Sequence, residues 1–379
     1  MLPYVCIANP GSKRWEYYHR ELLAYGNERG HARKVVLVPW AEIIAADGNL
    51  DRFPAFDTPA IVRLESPGKD SAVARLLLGD GANDRPNGPT IDWQTEPLPK
   101  GWLARPGLQH AGFRRILHNL QLHFSTRPHL HPTACPNAIV AMFDKTATTQ
   151  RLRTKGVPVP DWLPIAHPSA SPLLDDIRNT NWPTTYAKLN TGSSASGIVA
   201  LYRDDNWTAD TTMTVKNGQF YNTRSIQRLR GENAIRPALE FLLQEGLFVQ
   251  RGIPLAKIDD QNLDVRVVCI YGKPVATIFR LSSAPMTNLH LGGRRGDWAS
   301  CRSQIPTRIW LDALDSCSNA AECFDSAIAG VDLVFEQNST NHHILEVNAF
   351  GDFFPGWTDA KGWSIPRHEI AATSKRLGM

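Results

Sequence analysis

Three groups of residues stand out for the chemistry that their types allow. Late in the chain, Asp332 lies in one apolar segment, GVDLVFEQ (330–337), and Glu346 and Asn348 lie in the next, HHILEVNAF (342–350). Residues two apart in a strand share a face, so Glu346 and Asn348 project together. An antiparallel hairpin turning at residues 338–341 brings Asp332 beside them. Two carboxylates and an amide oxygen are hard ligands suited to Mg²⁺, with room left for phosphate oxygens. An exposed polar strand face is the ordinary alternative. The second group rests on lysine, which is scarce here, at twelve residues against twenty-nine arginines. Lys145 sits in a helix, and Lys188 ends a strand that runs into Gly192-Ser193-Ser194-Ala195-Ser196-Gly197. Small residues let backbone N–H groups approach phosphate oxygens, and a nearby ammonium supplies charge. The loop lacks the lysine that follows the second glycine of a P-loop, and a plain flexible hairpin is the alternative. The third group is Arg266 in D-V-R and Arg280 in F-R-L-S, on the two arms of an expected hairpin. With Asn288 and the stretch HLGGRR (290–295), they suit phosphate and carboxylate recognition. Solvated strand arginines are the plain reading.

These residues need a scaffold, and the apolar periodicity supplies one. YVCIA (4–8), KVVLVPW (34–40) and AIVRLES (60–66) read as strands, with helices at about 14–29 and 71–78 between and after them. That alternation predicts a small open parallel sheet of the nucleotide-fold type. Residues 81–109 are rich in Gly and Pro without a period and read as a connection; a helix over about 112–124 and a turn-rich segment, 125–136, follow. One helix is expected from Asn137 to Lys155, stopped by Gly156 and the prolines behind it. Strands at 161–166, 184–190 and 198–202, a hairpin across Asn217-Gly218, a helix near 233–245 and strand 247–251 come next. Strands 263–271 and 273–282 flank Gly272. A helix over about 311–329 precedes the two metal-ligand strands, and residues 365–377 read as a last helix.

The chain of 379 residues carries a net charge of +4, spread too thinly for a nucleic-acid surface. No apolar run approaches the roughly 18 residues that span a bilayer. Six irregularly spaced cysteines fit reduced thiols, so the expectation is a soluble, cytoplasmic protein with no nucleic-acid or membrane partner. His129, His131, His342 and His343 lack a third ligand at metal spacing and read as loop polar residues.

The order of the pieces is more specific than any of them. Lysine helix, lysine strand with a Gly loop, apolar FVQ strand, D-x-R strand, R-x-S strand, N-x-H-x-G-G and D…E-x-N together resemble the ATP-grasp superfamily over about residues 137–357. Within it the likeness is to the ribosomal protein S6 glutamate-ligase-like carboxylate–amine ligases. The implied fold is α/β: an ATP-grasp fold of two α+β subdomains preceded by a Rossmann-like domain. The implied divisions are 1–108, a linker and helix at 109–136, a subdomain with the lid loop at 137–246, and a metal-bearing subdomain at 247–379.

By the same resemblance Lys145, Lys188, Gly192, Ser193, Ser194 and Gly197 contact the ATP phosphates. Gln250 and Arg251, in the hinge strand 248–251, hold adenine through backbone groups, although many relatives carry Glu at the Gln250 position. Asp259 or Asp260 meets the ribose. Arg266 and Arg280 bind phosphate and stabilise the acyl phosphate, Asn288 sits near the reacting carboxylate, and Asp332, Glu346 and Asn348 hold one or two Mg²⁺ ions, which Mn²⁺ can replace. The implied reaction joins a small-molecule or peptide carboxylate to an amine through an acyl phosphate. A small-molecule kinase and a non-catalytic ATP- or peptide-binding partner are the alternatives, and a homodimer is compatible with the reading. No protein nucleophile is required, which leaves Cys269 and Cys301 as structural thiols. Arg63 and Ser66, at the end of the third strand, read either as a structural turn or as substrate contacts.

Overall fold

In a computed structural model the chain is described over residues 2–68, 70–83, 98–164, 166–193, 195–204 and 206–379. The first 132 residues build a four-stranded parallel sheet in the order β2-β1-β3-β4. Its strands are β1 (Tyr4–Ala8), β2 (Val35–Pro39), β3 (Ala60–Leu64) and β4 (Leu130–Pro132). Strand β1 is buried along its whole length, as a strand covered on both faces must be. Helix α1 (Lys13–Asn27) covers one face through Trp15, Tyr18, Leu22 and Tyr25, whose 3–4-residue spacing makes one apolar stripe. Helices α2 (Trp40–Ala45), α3 (Ser71–Asn83) and α4 (Pro106–Ser125) complete this part. Strand β4 was not expected; it lies inside the turn-rich segment, and three residues ending in proline carry no readable period.

The expected helix 137–155 is two helices, α5 (Pro136–Phe143) and α6 (Lys145–Thr154). Asp144 breaks them, taking an extended conformation and capping α6 by accepting from the Ala147 N–H. Next come β5 (Trp162–Leu163), α7 (Ala170–Asn179), β6 (Thr184–Leu189), β7 (Ile198–Tyr202), β8 (Thr208–Lys216), β9 (Gln219–Arg230), α8 (Glu232–Glu245) and β10 (Leu247–Arg251). Their strands form a sheet in the order β5-β10-β6-β7-β8-β9, with β8 and β9 turning at Asn217-Gly218 as expected. Ala187, Leu189 and Val249 pack under α7 and α8, which leaves the alternate residues Tyr186, Lys188, Phe248 and Gln250 on the other face.

The last sheet contains β11 (Lys257–Ile258), β12 (Gln261–Ile270), β13 (Lys273–Ser282), β14 (Arg294–Arg295), β15 (Ile328–Phe335) and β16 (His342–Asn348), ordered β14-β13-β12-β15-β16 with β11 beside β12. Helices α9 (Trp298–Ser303) and α10 (Thr307–Glu322) precede β15, and α11 (Ile365–Arg376) ends the fold. Helix α10 stops seven residues short of the expected 329, because Ile328 already pairs with Ile270 in the sheet. Val265, Val267, Phe279, Val331 and Leu333 face α10, while the alternate positions carry the charged residues described next.

Candidate active site

Register alone assembles the polar face of the C-terminal sheet. Arg280 of β13 stands opposite Asp264 of β12, and Arg266 of β12 stands opposite Asp332 of β15, which stands opposite Glu346 of β16. Asn348 lies opposite Gly330, two positions along the same face. The side chains close these rows with ion pairs. Arg280 Nε and Nη2 donate to the two carboxylate oxygens of Asp264 at 2.5 and 2.8 Å. Arg280 also reaches Asp332 at 2.9 Å. Arg266 grips Asp332 with two bonds, of 2.6 and 3.2 Å. Burial opposes ionisation of Asp332, but Arg266 and Arg280 outweigh it and hold the carboxyl far below its usual range. Burial pushes Asp264 up to about 6 against the pull of Arg280. Thr287, the residue before Asn288, donates its hydroxyl to Asp264.

The lysines come from the start of α6 and from strand β6 of the other antiparallel sheet. Lys145 Nζ donates to the Gly192 carbonyl at 2.5 Å and lies 3.7 Å from Glu346 Oε2, so it links the glycine loop to the acidic row. Its position is set by Asn190, whose carboxamide oxygen accepts from the backbone and hydroxyl of Thr146, both at 3.0 Å. Lys188 Nζ donates to Gln250 Oε1 at 3.0 Å. Burial lowers the Lys188 pKa to about 8, with Glu346 opposing that fall and Lys145 adding to it. Gln250 is 1% exposed, and its Nε2 has no hydrogen-bond partner among the described residues. A buried amide donor without a partner is costly in a folded protein and points to an acceptor supplied from outside. Tyr186, on the same face, donates its hydroxyl to the Pro285 carbonyl and so joins the two sheets across the cleft.

The glycine loop is held at both ends. Lys145 grips Gly192, and the Thr212 hydroxyl donates to the Ala195 carbonyl at 3.0 Å. Gly197 has φ +61°, and a Cβ there would lie 2.6 Å from Leu189 side-chain carbons. The glycine is therefore required by packing as well as by backbone conformation. Ser193 is exposed, whereas Ser194 lies outside the described residues.

The metal-ligand trio is brought together: Asp332 and Glu346 are cross-strand neighbours, and Asn348 Nδ2 donates to the Gly330 carbonyl at 3.2 Å. That bond turns the amide oxygen away from Gly330 as the end available for ligation. Among the described residues no three His, Cys, Asp or Glu side chains form a metal cluster. An ion here would take two carboxylates, the Asn348 amide oxygen and phosphate oxygens, a donor set that fits Mg²⁺.

Other expectations come out differently. Arg251 turns its side chain away from Gln250 and toward Asp161, at 3.6 Å. Asp259 and Asp260 form the tip of the β11–β12 turn, with φ +49° and +60°, and neither is singled out. Arg63 is not available to substrate: it is 2% exposed, paired with Glu65 at 2.7 Å and Glu369 at 2.9 Å. Ser66 caps the turn to Gly68. His131 and His342–His343 lie in strands rather than loops. Asp264, Asn190 and Tyr186 were missed. Asp264 carries a readable signal, since it sits two residues before Arg266 and must share its face.

The sequence profile described as YheC/D-like ATP-grasp matches residues 138–350, and the chain belongs to that family. No curated protein matches in sequence. Among solved structures, a D-alanine–D-alanine ligase from Bacillus anthracis complexed with ATP is 12% identical, with TM-score 0.54 over 100% of this chain and 97% of that one. D-cycloserine synthetase DcsG is 12% identical, with TM-score 0.53 over 99% of each chain. ATP-grasp ligase PsnB, complexed with minimal precursor, Mg and ADP, is 15% identical, with TM-score 0.52 over 98% and 96%. These likenesses give the fold, which is ATP-grasp with a parallel-sheet domain in front of it.

Proposed function

We propose that this chain is an ATP- and Mg²⁺-dependent ligase that joins a carboxylate to an amine through an acyl phosphate. The observation that carries the reading is the arginine–carboxylate row of the C-terminal sheet standing opposite two lysines and a glycine loop. That arrangement offers cations to a polyphosphate and oxygen ligands to its metal. Lys145, Lys188 and the backbone of Gly192, Ser193 and Gly197, with Ser194 between them, take the phosphates. The orphan amide of Gln250 supports an acceptor bound along the hinge strand, where Arg251 contributes only its backbone. Asp332, Glu346 and Asn348 hold Mg²⁺, which when bound neutralises phosphate charge.

A carboxylate is a poor acyl donor, so its oxygen first attacks the γ-phosphorus and ADP leaves. Arg266 and Arg280 stabilise the charge carried over onto the acyl phosphate, with Asn288 near the reacting carboxylate. The amine nitrogen then attacks the acyl carbon, loses a proton, and phosphate departs as the amide forms. The chain's contribution is positioning and charge compensation, made before the reaction begins. Candidate substrates are small-molecule or peptide carboxylates with an amine co-substrate. Incubation of the purified chain with ATP, Mg²⁺ and panels of carboxylates and amines tests this. The expected result is ADP and free phosphate in equal amounts, dependent on both co-substrates. ADP without free phosphate identifies a kinase, and no ADP from any pair identifies a non-catalytic binding protein.

A further inference from the structure

Resting on the ligase reading, we propose that Arg295 is a specificity-determining residue that receives a second anionic group of the substrate, separate from the carboxylate that reacts. Strand β14 pairs antiparallel with β13, and Arg295 stands directly opposite Arg280. Directly opposed residues share a face, with Cβ atoms roughly 4.5–5.5 Å apart. Arg295 thus continues the row that runs through Arg280 to Asp264, on the face that carries Asp332 and Glu346.

Two like charges in a cross-strand pair repel, and an anion placed beside them relieves that repulsion. Arg280 has its anions in Asp264 and Asp332. Arg295 has none: no carboxylate pairs with it among the described residues, and it is exposed. The nearest acid in sequence, Asp297, is committed to capping α9 through the Ser300 N–H and hydroxyl. The Arg295 guanidinium is nevertheless oriented, lying 5.3 Å from the centre of the Phe354 ring. A cation–π contact of this kind draws the guanidinium toward the ring and leaves N–H groups for an acceptor such as a carboxylate. Arg294, by contrast, turns to the opposite face and donates to Gln261 at 2.9 Å.

The substrate class that follows is a carboxylate with a further carboxylate at a distance. One group reaches Arg280, Arg266 and the transferred phosphoryl group, and the other reaches Arg295. The full-length chain with ATP, Mg²⁺ and hydroxylamine as the amine gives an acyl hydroxamate from any activated acid. Glutarate and L-glutamate would be compared with valerate and L-norvaline, which match their length and lack the second carboxylate. The wild-type chain is expected to favour the dicarboxylates, and Arg295→Met to lower that preference roughly 10- to 100-fold through loss of a charge-assisted contact. Arg295→Lys should retain part of the preference, and Arg308→Met, at an exposed arginine of α10 beside Asp312, should leave it unchanged. Equal turnover of the two acid classes, or a preference untouched in Arg295→Met, overturns the proposal and leaves the ligase reading standing. If no acid is activated, the ligase reading fails, and calorimetric binding of glutarate against valerate decides the site. Glutarate binding lost in Arg295→Met sustains it, and equal binding overturns it.

Discussion

Lys188 carries its ammonium on a largely buried strand face, with one hydrogen bond, to Gln250. Removing that charge tests the phosphate site directly. Lys188→Met keeps much of the apolar stem, so the expected loss is electrostatic, on the order of 2–4 kcal/mol of transition-state stabilisation. At 1.36 kcal/mol per decade this is roughly 30- to 1,000-fold in kcat/KM for ATP. Arg203, which donates to Asn181 on the outside of the same sheet, is the matched control. Equal, slight losses in Lys188→Met and Arg203→Met would sink the assignment. The lowered pKa adds a second signature. Because the lysine in the nucleotide-free protein loses its proton as pH rises through about 8, ATP binding should weaken above that pH. The dependence should be absent in Lys188→Met. Glu346→Ala and Asn348→Ala should each abolish Mg²⁺-dependent turnover while leaving the melting temperature nearly unchanged, since both side chains are only half-buried. Full activity in both variants would refute the metal assignment. Strand periodicity made most of these residues legible, because i and i+2 share a face whatever the rest of the chain does. Asn190 and Tyr186 were not legible: their importance lies in contacts to Thr146 and Pro285, made by segments distant in sequence.

At the scale of elements, the longer strands and the hairpin at Asn217-Gly218 were readable, since apolar alternation and turn residues are local signals, whereas the short β4, β11 and β14 were not. The break at Asp144 was not, because its cause is the cap that the aspartate makes after the chain turns. That break has a functional consequence. It puts Lys145 at the first residue of α6, beside Asn190 and the start of the glycine loop, and not in the middle of a long helix. The loop itself carries small side chains and is secured by Lys145 and Thr212. Phosphate oxygens compete with the Gly192 carbonyl for the Lys145 ammonium and offer acceptors to the loop N–H groups. A non-hydrolysable ATP analogue with Mg²⁺ should therefore slow amide hydrogen exchange over residues 191–198, measured by mass spectrometry. Identical exchange with and without nucleotide would argue against a lid.

On the scale of the whole molecule, a chain of buried charges ties the parallel-sheet domain to the end of the polypeptide. Arg14 donates to Glu65 at 2.7 Å and to the Phe350 carbonyl, two residues beyond Asn348. Glu65 pairs with Arg63, and Arg63 pairs with Glu369 of α11, all but Arg14 being almost fully buried. The sequence singled out Arg63 but hid this network, because its bonded partners lie up to 336 residues apart. Removing one carboxylate of a buried set leaves its arginine under-compensated, a penalty of about 3–5 kcal/mol. Glu369→Ala should accordingly lower stability by about that amount in chemical denaturation, although the residue lies far along the chain from every active-site motif. The pH dependence has a defined sign. Burial alone would raise the Glu65 pKa, but Arg14 and Arg63 outweigh it and bring it down to about 2 from an ordinary value of 4.5. A carboxylate whose folded pKa is depressed contributes its full stabilisation above the unfolded value and loses it as pH falls toward the folded one. Stability should thus fall between about pH 4.5 and pH 2, and Glu65→Gln, weaker at neutral pH, should fall less over that interval. An unchanged acid slope in Glu65→Gln would show that other carboxylates govern acid unfolding and that this network does not bind the two ends of the chain together.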